Sequence, residues 1–280
     1  MSYSARILAD SIAPRGARLV TFEVRFPRFI LAEWNTHRML SRNAASSRAI
    51  PVERMIAAVE ANPFVPEYWG RNQRGMQAQR ELEPEDAECA RLAWLDARDA
   101  AVEHARRLLQ IGTHKQLANR LLEPFSWVSV IVSATTYDQL FLLRCHADAQ
   151  PEFRRIAQMM ERLYLTHEPT ERAAGEWHLP MGDDALELLA EGYSEQEVAC
   201  ICAARCARVS YLTHEGKRDP LADLELAERL LTSGHLSPFE HVARALPDPV
   251  HVANFVGWHQ LRRTIETGYE KNLAHFGGVS

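Results

Sequence analysis

A chain of 280 residues, 46% apolar and 25% charged, has length for one large domain or two modest ones around a buried core. The net charge of −5 argues against a general nucleic-acid binder, which needs a basic excess, but leaves room for a local basic pocket holding a small phosphorylated ligand. No apolar run reaches membrane-span length and the first residues lack a secretion signal's apolar stretch, so the expectation is a cytoplasmic protein with neither membrane nor nucleic acid as partner.

The five cysteines, odd in number and without paired spacing, read as reduced thiols. Cys200, Cys202 and Cys206 fall on a helical pattern without a convincing fourth ligand nearby. They read as packing residues, and no metal is assigned.

In chain order, Val20, Phe22, Val24 and Phe26 alternate with Thr21, Glu23 and Arg25, the pattern of a half-buried strand. Pro27 permits a helix start, and Phe29, Ile30, Leu31 and Trp34 supply an apolar stripe. A short helix is predicted over Val52–Glu60. Residues 62–79, rich in Pro, Gly and aromatics, form an ordered loop that is either a lid over a site or an excursion packed on the surface. The pattern then predicts a long helix from about Pro84 to Ile111, with Leu92, Leu95, Val102, Leu108 and Leu109 inward and Gly112 as its stop. A short helix carrying Arg120 breaks near Pro124, Trp127–Val132 reads as a buried strand, and a helix over Tyr137–Arg144 puts Phe141 and Leu142 inward. Phe153, Ile156, Met160 and Leu163 form a core stripe on the next helix.

Residues 167–192 are polar and turn-rich. They mark an internal boundary between 1–166 and 193–280 within what otherwise reads as one catalytic domain, 1–280. Ser194 and Glu197 form a capping box that opens a helix through Arg208, and Asp219-Pro220 opens another that Gly234 ends. Phe29–His37 and Phe255–Arg263 have similar patterns, a weak hint of two related strand–helix units.

The chemistry concentrates in Glu33–Arg48, which holds three arginines, one histidine, two asparagines, three serines and a threonine but a single carboxylate. Guanidinium forks and hydroxyl donors so gathered suit an anion, although a solvated helix end has the same composition. Arg120 and Arg144 are further planar donors that match phosphate or a pyrimidine imide edge. His235, Glu240 and His241 straddle Pro238 without a familiar metal geometry. Ser46, Ser47 and Ser237 lie in no Gly-x-Ser-x-Gly elbow, and no glycine-rich phosphate loop occurs.

Together these motifs resemble the flavin-dependent thymidylate synthases, the ThyX family. Thr36-His37-Arg38, seven residues, Ser46 and then Arg48 resembles the family's Arg-His-Arg signature. Asn119-Arg120-Leu121-Leu122-Glu123-Pro124, Leu143-Arg144 through Gln150, Ala207-Arg208-Val209-Ser210, and Gly234-His235 through His241 resemble four further blocks. The last two stand after the Arg-His-Arg block rather than before it, a permuted order found in a longer variant. Thr36, Ala44 and Gln139 depart from the Arg, Glu and Asn of short members; Arg42 and Glu33 are the residues placed to compensate.

The resemblance implies an α/β (α+β) fold, an antiparallel sheet flanked by long helices. It also implies FAD as cofactor, and NADPH and methylenetetrahydrofolate as co-substrates in the C5 methylation of dUMP. FAD would be held by His37, Arg38 and Ser237, with Thr36, Gln139, Ser210 and His235 at matching positions and contacts from Ser133-Ala134-Thr135. Ser46, Arg48 and Arg120 would bind the nucleotide phosphate, with Glu33 and Ser47 beside the substrate. Arg144 would face the uracil ring as the catalytic residue, stabilising charge that develops on the pyrimidine. A homo-oligomer, dimer or tetramer, is expected. A related flavin-dependent pyrimidine nucleotide C5-methylase or hydroxymethylase acting on UMP or another nucleotide is the first alternative, and a nucleotide-binding protein without turnover the second.

Overall fold

The computed structural model describes residues 2–209 and 218–276, with side chains as far as residue 268. Strands β1 (Ser4–Ile12) and β2 (Arg18–Pro27) form an antiparallel hairpin through a turn at Pro14–Gly16, where Gly16 takes φ +86°. With β3 (Ser41–Ala44), β4 (Trp127–Ala134) and β5 (Thr170–Glu171) they make a five-stranded sheet of order β3-β4-β2-β1-β5, antiparallel except for the β1–β5 pair.

Between β2 and β4 lie a 3-10 turn (Arg28–Ile30), α1 (Leu31–Trp34), β3, α2 (Val52–Ala61), α3 (Pro84–Gln110), α4 (Lys115–Ala118) and a 3-10 segment (Asn119–Phe125). After β4 come α5 (Asp138–Arg144) and α6 (Pro151–Thr166). The remainder supplies β6 (Trp177–His178), α7 (Ala185–Ala190), α8 (Glu195–Arg208), α9 (Pro220–Thr232), β7 (Ala243–Ala245), β8 (His251–Val252), β9 (Phe255–Val256), β10 (Trp258–Gln260) and α10 (Leu261–Phe276). A second sheet runs β10-β7-β6, and β8 pairs with β9. No helix among the described residues is long and apolar enough to cross a membrane.

The period-two pattern explains the core. Val20, Phe22, Val24 and Phe26 of β2 and Val128, Val130 and Val132 of β4 share the face that packs on α5 and α6, where Phe141, Phe153, Ile156 and Met160 are buried. Each such side chain contributes roughly 1.5–3 kcal/mol relative to exposure. The opposite face is covered too. Ile131 packs on Cys206 and Val209, and Thr21 is fully buried, so β2 is not the half-buried strand its alternation predicts. Residues far along the chain supply that cover, invisibly to local periodicity.

Other local expectations shift with the packing. The long helix and its Gly112 stop are present, but Leu92 is 49% exposed, and Trp94 anchors this helix through its Nε1 hydrogen bond to the Phe64 carbonyl. On α5 the inward pair is Leu140 and Phe141, while Leu142 is 71% exposed. Within the Glu33–Arg48 segment, Ser41–Ala44 is strand β3, and Ser47-Arg48 open a 3-10 turn. The capping box at Ser194 forms with both of its hydrogen bonds, and Gly234 stops α9 at φ +72°.

The two parts of the chain are joined by polar side chains. Thr21 Oγ1 lies 2.6 Å from Ser133 Oγ and 2.8 Å from His178 Nε2. His178 Nδ1 lies 2.9 Å from Ser11 Oγ, and Ser133 Oγ lies 2.9 Å from His241 Nδ1. This buried line crosses the sheet's covered face from β1 to the segment before β7. Burial pushes both rings down to about 3; for His178, Arg172 and His241 add to the effect. Along the edge strand β3, Asn43 Nδ2 donates to the Cys206 carbonyl at 3.0 Å, and Gln260 Nε2 donates to Ser41 Oγ at 3.2 Å.

Candidate active site

The main sheet aims three segments at one place: the turn after α1, the end of α5 and the start of α6. Arg144, last residue of α5, donates from Nε to His37 Nε2 at 2.9 Å and from Nη1 to Glu33 Oε2 at 3.2 Å. Its guanidinium lies 4.4 Å from the ring centroid of Phe153, and the His37 ring meets that ring edge-on at 5.6 Å. Phe153 is fully buried and stacked on Trp34, which stacks on Phe26. An aromatic column rooted in the core therefore fixes the charge at the surface.

Burial, then Arg144 and Arg42, push His37 down to about 4. Its Nε2 accepts from Arg144, so the neutral ring carries its proton on Nδ1. Arg42 donates from Nη1 to the His37 carbonyl at 2.5 Å, and the Thr36 hydroxyl donates to the Glu33 carbonyl at 2.7 Å.

Arg144 lines a cleft of about 630 Å³ with Glu33, His146, Asp148 and Gln150. A neighbouring cleft of about 530 Å³ shares Met76, Gln77, Asp148, Ala149 and Gln150 with it. The far wall of both belongs to the 62–82 segment, a hairpin-like excursion in which Gly70 bridges to Glu81, Arg71 N–H donates to the Arg80 carbonyl at 2.7 Å, and Tyr68 Oη donates to the Ala78 carbonyl at 2.7 Å. The loop thus lines both clefts as well as packing on the surface.

A second cluster surrounds the 3-10 turn Ser47–Ala49. Asn119, fully buried, donates from Nδ2 to the Ser47 and Ile50 carbonyls at 2.7 and 2.9 Å, and Lys115 Nζ donates to the Ala49 carbonyl at 3.2 Å. Arg48 is exposed and has no carboxylate partner among the described residues. Arg120 pairs with Glu123 at 2.9 Å, and Glu123 also lies 3.8 Å from the buried Arg28. Asn119 and Lys115 are members of this cluster that the sequence did not single out. The signal was there, since Asn119 stands beside Arg120 in the recognised block. Ser47 is buried and enters through its carbonyl, while Ser46 is partly exposed. No hydrogen bond or ion pair among the described residues joins this cluster to Arg144.

The remaining expected positions divide. Ser237 Oγ donates to Asn43 Oδ1 at 3.4 Å, so the Ser-Pro-Phe-Glu turn sits on β3. Thr135 Oγ1 accepts from Val256 N–H at 3.1 Å and is partly exposed, and Gln139 is exposed on α5. His235 is exposed, with Nδ1 2.8 Å from Ser233 Oγ. Arg38 is exposed and, among the described residues, without a carboxylate partner. Ser133 and Ala134 correct the sequence reading. At 0% and 1% exposure they are sealed inside, and the Ser133 hydroxyl serves Thr21 and His241 rather than a ligand. Ser210 lies outside the described residues.

The Thy1 family, thymidylate synthase complementing protein, matches residues 18–170, just over half of the chain; the blocks at 207–210 and 234–241 lie beyond that span. No curated protein sequence matches the chain. Among solved structures, a UMP/dUMP methylase, PolB from Streptomyces cacaoi, bound with 5-Br UMP, is similar over 59% of this chain and 89% of that one, with 18% identity and a TM-score of 0.50. The same protein bound with 5-Br dUMP is similar over 52% of this chain and 65% of that one, with 23% identity and a TM-score of 0.44. The former likeness is one of fold. By the match through β2, β3, β4, α5 and α6, which carry the Arg144 cluster and the Ser46–Arg48 turn, the chain belongs to the Thy1 family, and it is an enzyme of the methyltransferase class.

Proposed function

We propose that the protein is a flavin-dependent pyrimidine nucleotide C5-methylase acting on dUMP, with methylenetetrahydrofolate as carbon donor and NADPH as reductant. The observation that carries the reading is Arg144, seated on Phe153 and fixed by His37 and Glu33 at the wall of an open cleft. Its Nη2 makes no hydrogen bond among the described residues and is available to a carbonyl of the base. A preorganised cation there stabilises negative charge developing on the pyrimidine, which raises nucleophilicity at C5. Glu33 occupies Nη1 in this structure, which leaves Nη2 as the donor for the base. Neutral His37 keeps its Nδ1 proton and adds no charge to oppose Arg144. Arg48 and Arg120, with Ser46, form the cationic set for the nucleotide phosphate.

The donor set at residues 36–43 fits the diphosphate of FAD. Arg38 is exposed with no carboxylate partner among the described residues, Arg42 donates to the His37 carbonyl, and the Ser237 hydroxyl, on a long 3.4 Å hydrogen bond to Asn43 Oδ1, can turn to an anion. His37, Arg38, Ser237, Thr135, Gln139 and His235 are the residues proposed to hold it. Bound and reduced, FAD would supply the reducing equivalents that turn the transferred one-carbon unit into a methyl group.

Leu142 and Leu143, exposed next to Arg144, support a homo-oligomer, dimer or tetramer, in which a second subunit borders the cleft; light scattering would report its mass. The free cysteines support a cytoplasmic setting, and the polar contacts across β3 support one catalytic unit from both parts of the chain. UMP is the second reading, favoured by the Streptomyces cacaoi protein, a UMP/dUMP methylase. Turnover of dUMP and UMP side by side, with mass spectrometry of the product and Arg144→Ala as control, tests both. Full activity in Arg144→Ala sinks the assignment.

A further inference from the structure

Resting on the nucleotide reading above, we infer that Glu152 is a positioning residue that fixes the Gln150 amide so that the cleft beside Arg144 accepts a uracil and rejects a cytosine. Gln150 lines both adjoining clefts, and its Nε2 donates to Glu152 Oε2 at 2.7 Å. Glu152 is only 5% exposed, and Gln150 is its one side-chain hydrogen-bond partner among the described residues. Burying a carboxylate is costly, and an apolar residue would serve packing alone better. At the second position of the 16-residue helix α6, directly after Pro151, the charge is favoured by the free N–H groups of the first turn.

An ionised carboxylate only accepts hydrogen bonds, so it must face the amide's NH₂. The Gln150 Oε1 atom, without a partner among the described residues, is then the group left for the cleft. Of the carboxylates there, Glu33 is engaged with Arg144, and Asp148 is exposed beside His146, whose Nδ1 accepts from the Asp148 N–H at 3.2 Å. The wall thus offers a donor, the Arg144 guanidinium, and a neutral acceptor, Gln150 Oε1. Uracil complements that pair with a carbonyl and N3–H. Held in the same register, cytosine presents an unprotonated N3 to Gln150 Oε1, leaving two acceptors opposed, and its N4 amine meets Oε1 only if the ring slides by one edge position.

Glu152→Gln keeps the shape of the buried group but can meet either end of the Gln150 amide, so Gln150 is free to turn its NH₂ to the cleft. Titration calorimetry of the full chain supplied with FAD, using dUMP and dCMP, reads the preference directly. The wild type is expected to prefer dUMP. Glu152→Gln is expected to cut that preference about tenfold, with dCMP binding tighter than to the wild type, a gain that loss of structure cannot produce. Gln150→Leu, at an exposed position, is expected to weaken dUMP about tenfold without helping dCMP, and it carries the test if Glu152→Gln does not fold. An unchanged preference in either folded variant, or a wild type that binds both nucleotides alike, overturns the inference. A wild type that binds neither dUMP nor UMP overturns instead the nucleotide reading beneath it.

Discussion

Arg144 and His37 meet through a single directed hydrogen bond, guanidinium Nε to imidazole Nε2 at 2.9 Å, so the cation and the neutral ring orient one another. A lysine at 144 keeps the charge but not the fork. It cannot reach His37, Glu33 and a base carbonyl from one plane, nor lie flat on Phe153. Arg144→Lys is expected to lower kcat by about a hundredfold or more, as loss of a preorganised oxyanion donor does. Because the side chain is only part-buried, the melting temperature should stay close to wild type. Steady-state kinetics beside a thermal melt checks both halves of that expectation.

The buried histidines set an acid limit on stability. His178 and His241 fold as neutral rings with values near 3, against about 6.5 in an unfolded chain. Their contribution is therefore fully present above pH 6.5 and is lost as pH falls from there toward 3, because only the unfolded chain takes up the protons. Each histidine adds a slope of about 1.4 kcal/mol per pH unit in that window. Urea melts between pH 7.5 and 4.5 should show stability falling steadily, with a shallower fall in His178→Asn. A flat profile would count against the buried line.

Gly70 is where the cleft's far wall closes on itself. A Cβ at this position would stand 2.1 Å from the Ala78 Cβ, a distance that forces the two arms of the excursion apart. Gly70→Ala is expected to loosen the wall that carries Met76 and Gln77, raising KM more than it lowers kcat and costing about 1–3 kcal/mol of stability as overpacking. Limited proteolysis within residues 70–80, compared with wild type, locates the change.

Asp223 holds the second part of the chain together. It is 1% exposed and accepts from Arg205 at 3.0 Å and Arg208 at 2.6 Å, while Arg205 also grips Asp184 at 2.6 and 2.8 Å. Asp223→Ala removes the acceptor that Arg205 and Arg208 share while leaving Arg205 its Asp184 pair, and is expected to destabilise by about 1–3 kcal/mol, measured by denaturant melts. Arg205 and Asp223 replaced together by apolar residues should recover part of that loss.

The sequence carried the elements whose signals are local. The α6 stripe, the Ser194 cap, the Gly112 and Gly234 stops and the alternation of β2 all follow from neighbours within a turn or two. Long-range partners decided what it missed. Ser41–Ala44 is a strand because it pairs with β4, some ninety residues on, and β1 is held by its register with β2. Leu142 turned outward because Leu140 and Phe141 meet the sheet. At the site, residue types were legible but not accessibility. Ser133 stands in a recognisable segment, yet the ring of His241 claims its hydroxyl. Glu152 and Asn119 act through neighbours, and nothing in their spacing announces whose amide or carbonyl they hold.

The seam along β3 has a consequence for how such a chain can be arranged. Its contacts, Asn43 to Cys206, Ser237 to Asn43 and Gln260 to Ser41, link segments that the backbone does not join directly. Hydrogen bonds of this kind are blind to which segment the ribosome makes first. A chain in which the order of the two parts is exchanged is therefore expected to make the same contacts along β3.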